Sequence, residues 1–325
     1  MIASPRVAVV INPISGTGGR RGVARARAEL AASAIAGRGL EVEVFVTERP
    51  GHARELAAAA IEGGVSTVIA WGGDGTVNEV GSAAAFRNVT LGIIPSGSGN
   101  GLARELRIPF DPIRAIDIAL SGREWPIDAG EFDGRLFFTI AGIGLDARVA
   151  HHFAAKAGAR RGFTRYLILT ARELIRYRPA CHTVLADGAT LRTRALLIAI
   201  ANARQYGNGA IIAPDARLAD GRLDVVVVAA RSLLATLAQI PRLFMGHIAR
   251  VPDVAMRAAV DIQVTSAGPV MYHLDGEPYV GGPRLEARPR PGALRVAIPA
   301  DVQPDLLGSG SDPLAAHGAQ TPGLS

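Results

Sequence analysis

Three stretches of this chain run from apolar residues into clustered glycines: "VINPISGTGGRR" over 10–21, "IAWGGDGTVNE" over 69–79 and "IIPSGSGNGLAREL" over 93–106. One glycine-rich turn means little, because glycine serves any tight turn. Three within about the first hundred residues, each where a strand-like run gives way to a helical one, point to a shared ligand. The middle stretch carries Thr76 and Glu79 in the S/T-x-x-E spacing of a capping box, which predicts a helix beginning at Thr76. Backbone N–H groups at such a helix start attract phosphate, and glycines let it approach closely. Asp74 is the odd residue, since a carboxylate repels phosphate unless a divalent cation such as Mg²⁺ lies between them. It serves an Asx-turn with nearby backbone N–H groups equally well. Arg20 and Arg21 could supply positive charge beyond the first loop, or be solvated helix residues.

Those loops need a frame. Up to about residue 125, short apolar runs ("RVAVVI", "EVEVFVT", "STVIAW", "VTLGII") alternate with Ala-rich helical ones, which predicts a parallel sheet with crossover helices. In such a sheet the turns following the strands share its carboxyl edge, where ligands bind. From "REWPIDAGEFDG" onward the segments read as strands joined by Asp-Gly turns, among them "RLFFTIAGIG", "CHTVLADGATLRTRALLIAIANA" and "VMYHLDGEPYV". The expected fold class is therefore α/β plus mainly β. Residues 1–125 form a parallel-sheet nucleotide domain, 126–300 an antiparallel, sandwich-like β-rich domain, and 301–325 a disordered tail rich in Gly, Pro, Ser and Ala. Two helical segments interrupt the second half, "FTRYLILTARELIRYR" and "SLLATLAQIPRLFMGHIA". The first is amphipathic and basic, with Arg165, Arg172, Arg176 and Arg178, and suits either packing on a sheet or a membrane surface.

Composition removes several classes. The chain has 325 residues and is 49% hydrophobic, yet no apolar run reaches the roughly 18 residues that span a bilayer. Its start lacks the pattern of a secretory leader, and Cys181 is the only cysteine, which excludes an internal disulfide and a cysteine-rich zinc site. A reducing, cytoplasmic setting fits. The net charge of +6 is spread along the chain, giving nucleic acid little support as a partner. Lys156 is the sole lysine and lies outside any G-x-x-x-x-G-K-[ST] pattern, which disfavours P-loop and protein-kinase-like enzymes.

"GGDGT" with "NE" behind it, "NPISG" ahead and "IPSGSGNGLARELRIP" beyond closely resembles the catalytic domain of the diacylglycerol kinase and sphingosine kinase superfamily, including bacterial lipid kinases. The resemblance continues through "AGIGLDARV", "NARQYGNGAIIAPDARLADGRLDVVVV" and "HLDGEPYV", to about residue 300. "GGDGT" alone also suits NAD kinases, but the Thr-Pro-Thr-Gly-Ser stretch expected of those enzymes is missing. The resemblance implies ATP bound between the two domains by Asn12, Pro13, Ser15, Gly16, Thr47, Gly73, Asp74, Gly75, Thr76, Glu79 and Ser98. It makes Asp275 the catalytic base, with Glu277 as supporting carboxylate; without it, Asp275 would be one hairpin aspartate among Asp133, Asp187, Asp220 and Asp275. It implies a structural Mg²⁺ on Asp220 and the backbone carbonyls of Arg217 and Arg222, and it puts Asp146 near the acceptor headgroup, where turn or helix-cap use is the plainer reading. The expected enzyme transfers the γ-phosphate of Mg-ATP to a lipid hydroxyl, foremost that of diacylglycerol, giving phosphatidic acid. A sphingoid base, another lipid, NAD, or binding without catalysis are the alternatives. It would work in the cytoplasm, peripherally at the inner face of the cell membrane, with the final strand packing back on the first domain and a homodimer left open.

Overall fold

The computed structural model describes residues 6–16, 22–155, 163–207, 209–239, 242, 245–303 and 307–308. Arg20, Arg21, Lys156 and most of 301–325 lie outside them. The first half alternates β1 (Arg6–Ile11), α1 (Val23–Ala36), β2 (Glu41–Val46), α2 (His52–Glu62), β3 (Thr67–Gly72), α3 (Asp74–Ala84), β4 (Thr90–Pro95), α4 (Gly101–Glu105) and α5 (Pro112–Ser121). Apolar runs such as "VAVVI" are buried on both faces because helices cover both sides of the sheet. Helix α2 turns Ala53, Ala57 and Ala60 inward, a stripe at helical spacing that lets it lie close to the sheet. Helix α5 starts where Asp111 accepts the Arg114 N–H and Pro112 fills the first helical position.

The second half comprises β5 (Arg123–Phe132), β6 (Arg135–Phe137), β7 (Ile140–Gly144), α6 (Leu145–Ala155), α7 (Phe163–Arg176), β8 (Cys181–Ala186), β9 (Ala189–Ala201), β10 (Gln205–Gly207) and β11 (Ala210–Ile211). After them come β12 (Leu223–Ala229), α8 (Leu233–Leu237), β13 (Val254–Ala259), β14 (Ile262–Ser266), β15 (Val270–Leu274), β16 (Glu277–Gly281) and β17 (Arg284–Ile298). The two halves share one mixed sheet, with β4, β3, β1 and β2 parallel and the later strands largely antiparallel. Strand β17 joins them. It runs antiparallel to β14 and β5 and then parallel to β4, pairing Arg295 with Thr90. Between its two reaches the register shifts, and the Gly292 N–H donates to Asp128 Oδ1 at 2.8 Å, which anchors the irregular stretch. One apolar core fills the parallel region and two serve the antiparallel one. Although the composition of 301–325 predicts no order, Val302 and Leu307 are buried in the first of these cores.

Three local expectations need correction. The segment "RLFFTIAGIG" is two strands with Phe138 and Thr139 between them, not one. Of "SLLATLAQIPRLFMGHIA", the described residues include α8 and a short 3₁₀ turn over Ile248–Arg250, with turns at 238–239 and 245–246 where the sequence predicts one continuous helix; Pro241 lies outside the described residues. Helix α7 makes its main described contacts with α6 rather than with the sheet. Its buried face holds Glu173, which accepts from Arg148 Nε at 2.6 Å and pairs with His152 Nδ1 at 2.8 Å, while Ile168 and Ile175 are exposed. Burial raises the Glu173 pKa, but the bonds from Arg148 and His152 outweigh it and hold the carboxyl below its ordinary value. A depressed carboxyl stabilises the fold above its unfolded pKa and loses that effect as pH falls through the native one. Glu173→Gln is therefore expected to cost on the order of 1 kcal/mol at pH 7, since both partners are partly solvated. The difference from wild type should vanish in acid, and urea midpoints of the two chains across pH 3–7 check it.

Candidate active site

Strands β4, β3 and β1 are neighbours, so the three glycine loops lie side by side at one sheet edge. Backbone bonds continue the ladder into them: Asn12 N–H donates to Trp71 O at 2.9 Å and Ser96 N–H to Gly72 O at 2.8 Å. In the first loop Asn12 Oδ1 accepts the Ile14 N–H at 3.2 Å, and Asn12 Nδ2 donates to Thr76 Oγ1 at 3.0 Å. Arg27 on α1 donates to Asn12 O at 2.8 Å and Ser15 O at 2.9 Å, and its guanidinium lies 5.6 Å from the Trp71 ring centroid. Burial lowers its pKa from the ordinary arginine value. Sequence reasoning missed Arg27, which sits inside an Ala-rich helical run. Ser15 is buried, Thr47 donates its N–H to Ile11 O at 2.9 Å, and Ser98 is exposed at the third loop.

The second and third loops touch at their backbones. A Cβ on Gly97 would lie 2.5 Å from Gly73 Cα and one on Gly73 would lie 3.1 Å from Gly97 Cα, so the first position has no space for a side chain and the second has little. The predicted capping box does not form. Helix α3 begins at Asp74, and the Glu79 carboxylate leaves its own helix to accept the N–H groups of Gly51 at 2.9 Å and Ala53 at 3.0 Å, at the start of α2. It thereby satisfies donors that α2 cannot satisfy internally. Thr76 turns to Asn12 instead. Asp74 also binds backbone N–H groups, its own among them and two across the loops: Oδ2 accepts from Asn100 at 2.8 Å and Oδ1 from Gly101 at 2.6 Å, capping α4. Desolvation raises its pKa and the charge of Asp275 raises it further, against those backbone bonds.

Asp275 reaches the same place from the other half. Residues 275 and 276 form the β15–β16 turn with φ of +48° and +89°, the left-handed pair that a two-residue hairpin requires. The interruption between β6 and β7 points three successive N–H groups at its carboxylate. Oδ1 accepts from Thr139 N at 2.9 Å, Ile140 N at 3.1 Å and Thr139 Oγ1 at 2.5 Å. Oδ2 accepts from Phe138 N at 2.9 Å and Asn78 Nδ2 at 2.8 Å. Asn78 belongs to α3, so the nucleotide-loop helix grips the catalytic candidate directly. Glu277 lies over the same helix start, its Oε1 occupying the space that a Cβ on Gly75 would need, 2.5 Å away. The structure thus brings Asp275, Glu277, Asp74, Gly75 and Gly73 together.

Asp146 is buried on α6, where its carboxylate accepts from Tyr206 Oη and faces His273 Nε2 at 3.0 Å. Asp220 lies in the segment between β11 and β12. Its Oδ1 accepts the Arg222 N–H at 3.0 Å, and Arg217 and Arg222 are exposed. Desolvation raises the pKa of Asp220, and desolvation with the charges of Asp220 and Asp215 pushes Asp224 up to about 6. Among the described residues no three His, Cys, Asp or Glu side chains form a metal-binding group.

A parallel sheet whose glycine loops meet a carboxylate delivered by an antiparallel β-rich half is an arrangement suited to phosphoryl transfer. The comparisons name its family. Residues 6–132 match the diacylglycerol kinase catalytic domain, and 139–298 match the YegS C-terminal NAD kinase beta sandwich-like domain. A "Probable lipid kinase YegS-like" of Pseudomonas aeruginosa is 33% identical over 287 residues, covering 87% of this chain and 92% of that protein. A "Diacylglycerol kinase" of Mycobacterium tuberculosis is 33% identical over 301 residues, covering 90% and 95%. The crystal structure of a diacylglycerol kinase from Bacillus anthracis superposes with a TM-score of 0.66 at 18% identity, over 92% of this chain and 98% of that one. The chain belongs to the diacylglycerol kinase catalytic-domain family of lipid kinases. No helix among the described residues is long and apolar enough to cross a membrane.

Proposed function

We propose that this lipid kinase transfers the γ-phosphate of ATP to the free hydroxyl of diacylglycerol. The observation that supports it is the meeting of the Asp275 turn with the glycine loops, through Asn78 on one side and Glu277 over Gly75 on the other. The loops hold the polyphosphate at the α3 N-terminus, where N–H groups converge and glycine admits close approach. The acceptor oxygen attacks the γ-phosphorus, its proton passes to Asp275, and the bond to the β-phosphate oxygen breaks to release ADP. In such transfers the protein mainly positions groups and neutralises charge. The exposed Ile168 and Ile175 on α7 and Leu234 on α8 are apolar contacts suited to a membrane surface, in keeping with a peripheral cytoplasmic enzyme.

Incubating the chain with γ-labelled ATP and, in parallel, diacylglycerol in mixed micelles, sphingosine and NAD tests this. Label in phosphatidic acid is expected. Label in NADP with none in lipid would sink the reading, and label in a sphingoid base alone would move the substrate within the class.

Divalent cation enters in two ways. When bound with ATP, Mg²⁺ supplies neutralisation of the polyphosphate charge. A structural cation would sit on Asp220 and the carbonyls of Arg217 and Arg222. Acidic side chains gather there, with Asp224 in the Coulomb field of both Asp220 and Asp215, which is the all-oxygen chemistry of a hard cation. Free Mg²⁺ at about ten times its dissociation constant should stabilise the fold by about 1.4 kcal/mol. The thermal midpoint should climb with Mg²⁺ in the wild type and stay flat in Asp220→Ala; equal climbs in both chains would remove the site.

A further inference from the structure

Beneath the Asp275 turn lies a buried group that the reaction as described does not use. His273, at the end of β15, is 6% exposed. Its Nδ1 accepts the Gly276 N–H at 3.2 Å, so that nitrogen carries no proton and Nε2 does. Nε2 then donates to Asp146 Oδ2 at 3.0 Å, with Tyr206 Oη 3.3 Å away. Tyr206 Oη in turn donates to the same carboxylate oxygen, and Asp146 Oδ1 accepts the Ala147 N–H at 2.7 Å at the start of α6. Space for this cluster comes from Gly142 on β7, where a Cβ would lie 2.0 Å from Asp146 Oδ2 and 2.4 Å from His273 Nε2.

The two ring nitrogens therefore have different tasks. The ε side is fixed by a carboxylate that a helix start and a tyrosine hold in place. The δ side presents a lone pair to the glycine that follows Asp275. A two-residue turn with both φ values positive leaves the Gly276 N–H pointing back into the protein, and His273 is what it meets. Asp275 N–H is tied separately to Ile140 O at 3.0 Å, so the turn is held at both of its central amides.

We propose that His273 is a positioning residue for phosphoryl transfer: oriented by Asp146 and Tyr206, it fixes the Asp275–Gly276 turn through Nδ1 and so sets where the Asp275 carboxylate stands. This role rests on the kinase reading above. It identifies a use for Asp146 distinct from contact with the acceptor headgroup, because the carboxylate is spent on His273, Tyr206 and its own helix.

The two nitrogens can be tested separately. Asn at 273 places an acceptor oxygen where Nδ1 stands and drops the link to Asp146. Gln places a donor near Nε2 and drops the δ acceptor, and Leu drops both. Two readouts apply to each chain: kcat and KM for ATP in lipid phosphorylation, and residue-level hydrogen exchange of the Gly276 amide without substrates. Gly276 should stay protected in wild type and His273→Asn and exchange faster in His273→Gln and His273→Leu. In the latter two kcat should fall by about 10- to 100-fold with KM for ATP nearly unchanged, the signature of a displaced reacting group. His273→Asn should keep kcat within about threefold of wild type, the turn being held where proximity demands. Gln matching Asn in both readouts, or lost Gly276 protection with kcat intact, would overturn the proposal. A wild-type chain that labels no lipid defeats the kinase reading and the catalytic role together, while the exchange arm still decides whether Nδ1 holds the turn.

Discussion

Asp275→Asn is expected to lower kcat for phosphoryl transfer by about 10²- to 10⁴-fold, the range in which removing a positioned acid–base group falls. The structure says why the substitution is more than loss of a proton acceptor. Three donors point at Oδ1 and two at Oδ2, so an Asn amide has no orientation that satisfies them. Facing one way its NH₂ opposes Phe138 N–H and the Asn78 amide; facing the other it opposes Thr139 and Ile140. A buried donor left without an acceptor costs about 1–3 kcal/mol, so the variant should also melt earlier. Rates must be read well below its midpoint, and ATP binding measured beside them, to keep the two effects apart. Thr139 helps to separate them further. Its hydroxyl is the one donor of the five that can rotate, while three are backbone N–H groups and one is an amide held against Leu136 O. A proton arriving at Oδ1 therefore displaces the Thr139 hydroxyl first. Thr139→Ser should retain most of the activity. Undiminished transfer by a folded Asp275→Asn chain would remove the residue from the chemistry altogether.

How much of this was legible in the sequence depends on the range of each interaction. The parallel half was, because strand burial and helix stripes repeat at short period, and so were the three loops that such a sheet brings to one edge. Three of the four Asp-Gly hairpins were readable too: Asp133, Asp187 and Asp275 take positive φ in two-residue turns, whereas Asp220 does not. What local pattern could not show is where a polar side chain goes when its partner is remote in sequence. Thr76 and Glu79 have the spacing of a reciprocal cap, yet each finds a stronger use across the loops, at Asn12 and at the α2 start. Asp74 caps a helix 26 residues away. The break at Phe138–Thr139 that creates the Asp275 cradle is invisible in a run of β-favouring residues, since nothing local forbids the strand from continuing. The motifs that pointed to Asp275 did so by resemblance, and the cradle supplies the physical reason that this one hairpin aspartate differs from the others.

Gly97→Ala is expected to reduce kcat/KM for ATP by about 100-fold, the scale associated with displacing a reacting group by roughly 1 Å. The added methyl would lie 2.5 Å from Gly73 Cα and 3.0 Å from Asn100 Oδ1. Neither neighbour yields easily. Gly73 is backbone at the start of α3, and Asn100 is pinned to Gly97 in both directions, Oδ1 accepting its N–H at 2.8 Å and Nδ2 donating to its carbonyl at 2.7 Å. Asp74 ties the same loop to α3 through Asn100 and Gly101, so forcing the third loop outward pulls on the helix start that receives phosphate. Asn78, one turn further along α3, carries the disturbance to Asp275. Overpacking at such a contact costs about 1–3 kcal/mol, and part of the displacement is relieved by moving α3. The effect should therefore reach kcat as well as the KM for ATP. Gly268→Ala makes the control, because a Cβ there meets nothing within 4 Å and the backbone φ is not positive. Steady-state kinetics and thermal midpoints of the two variants decide it. If Gly97→Ala behaves like Gly268→Ala in both, the loops do not need their close backbone contact, and the account of the nucleotide site built on it fails.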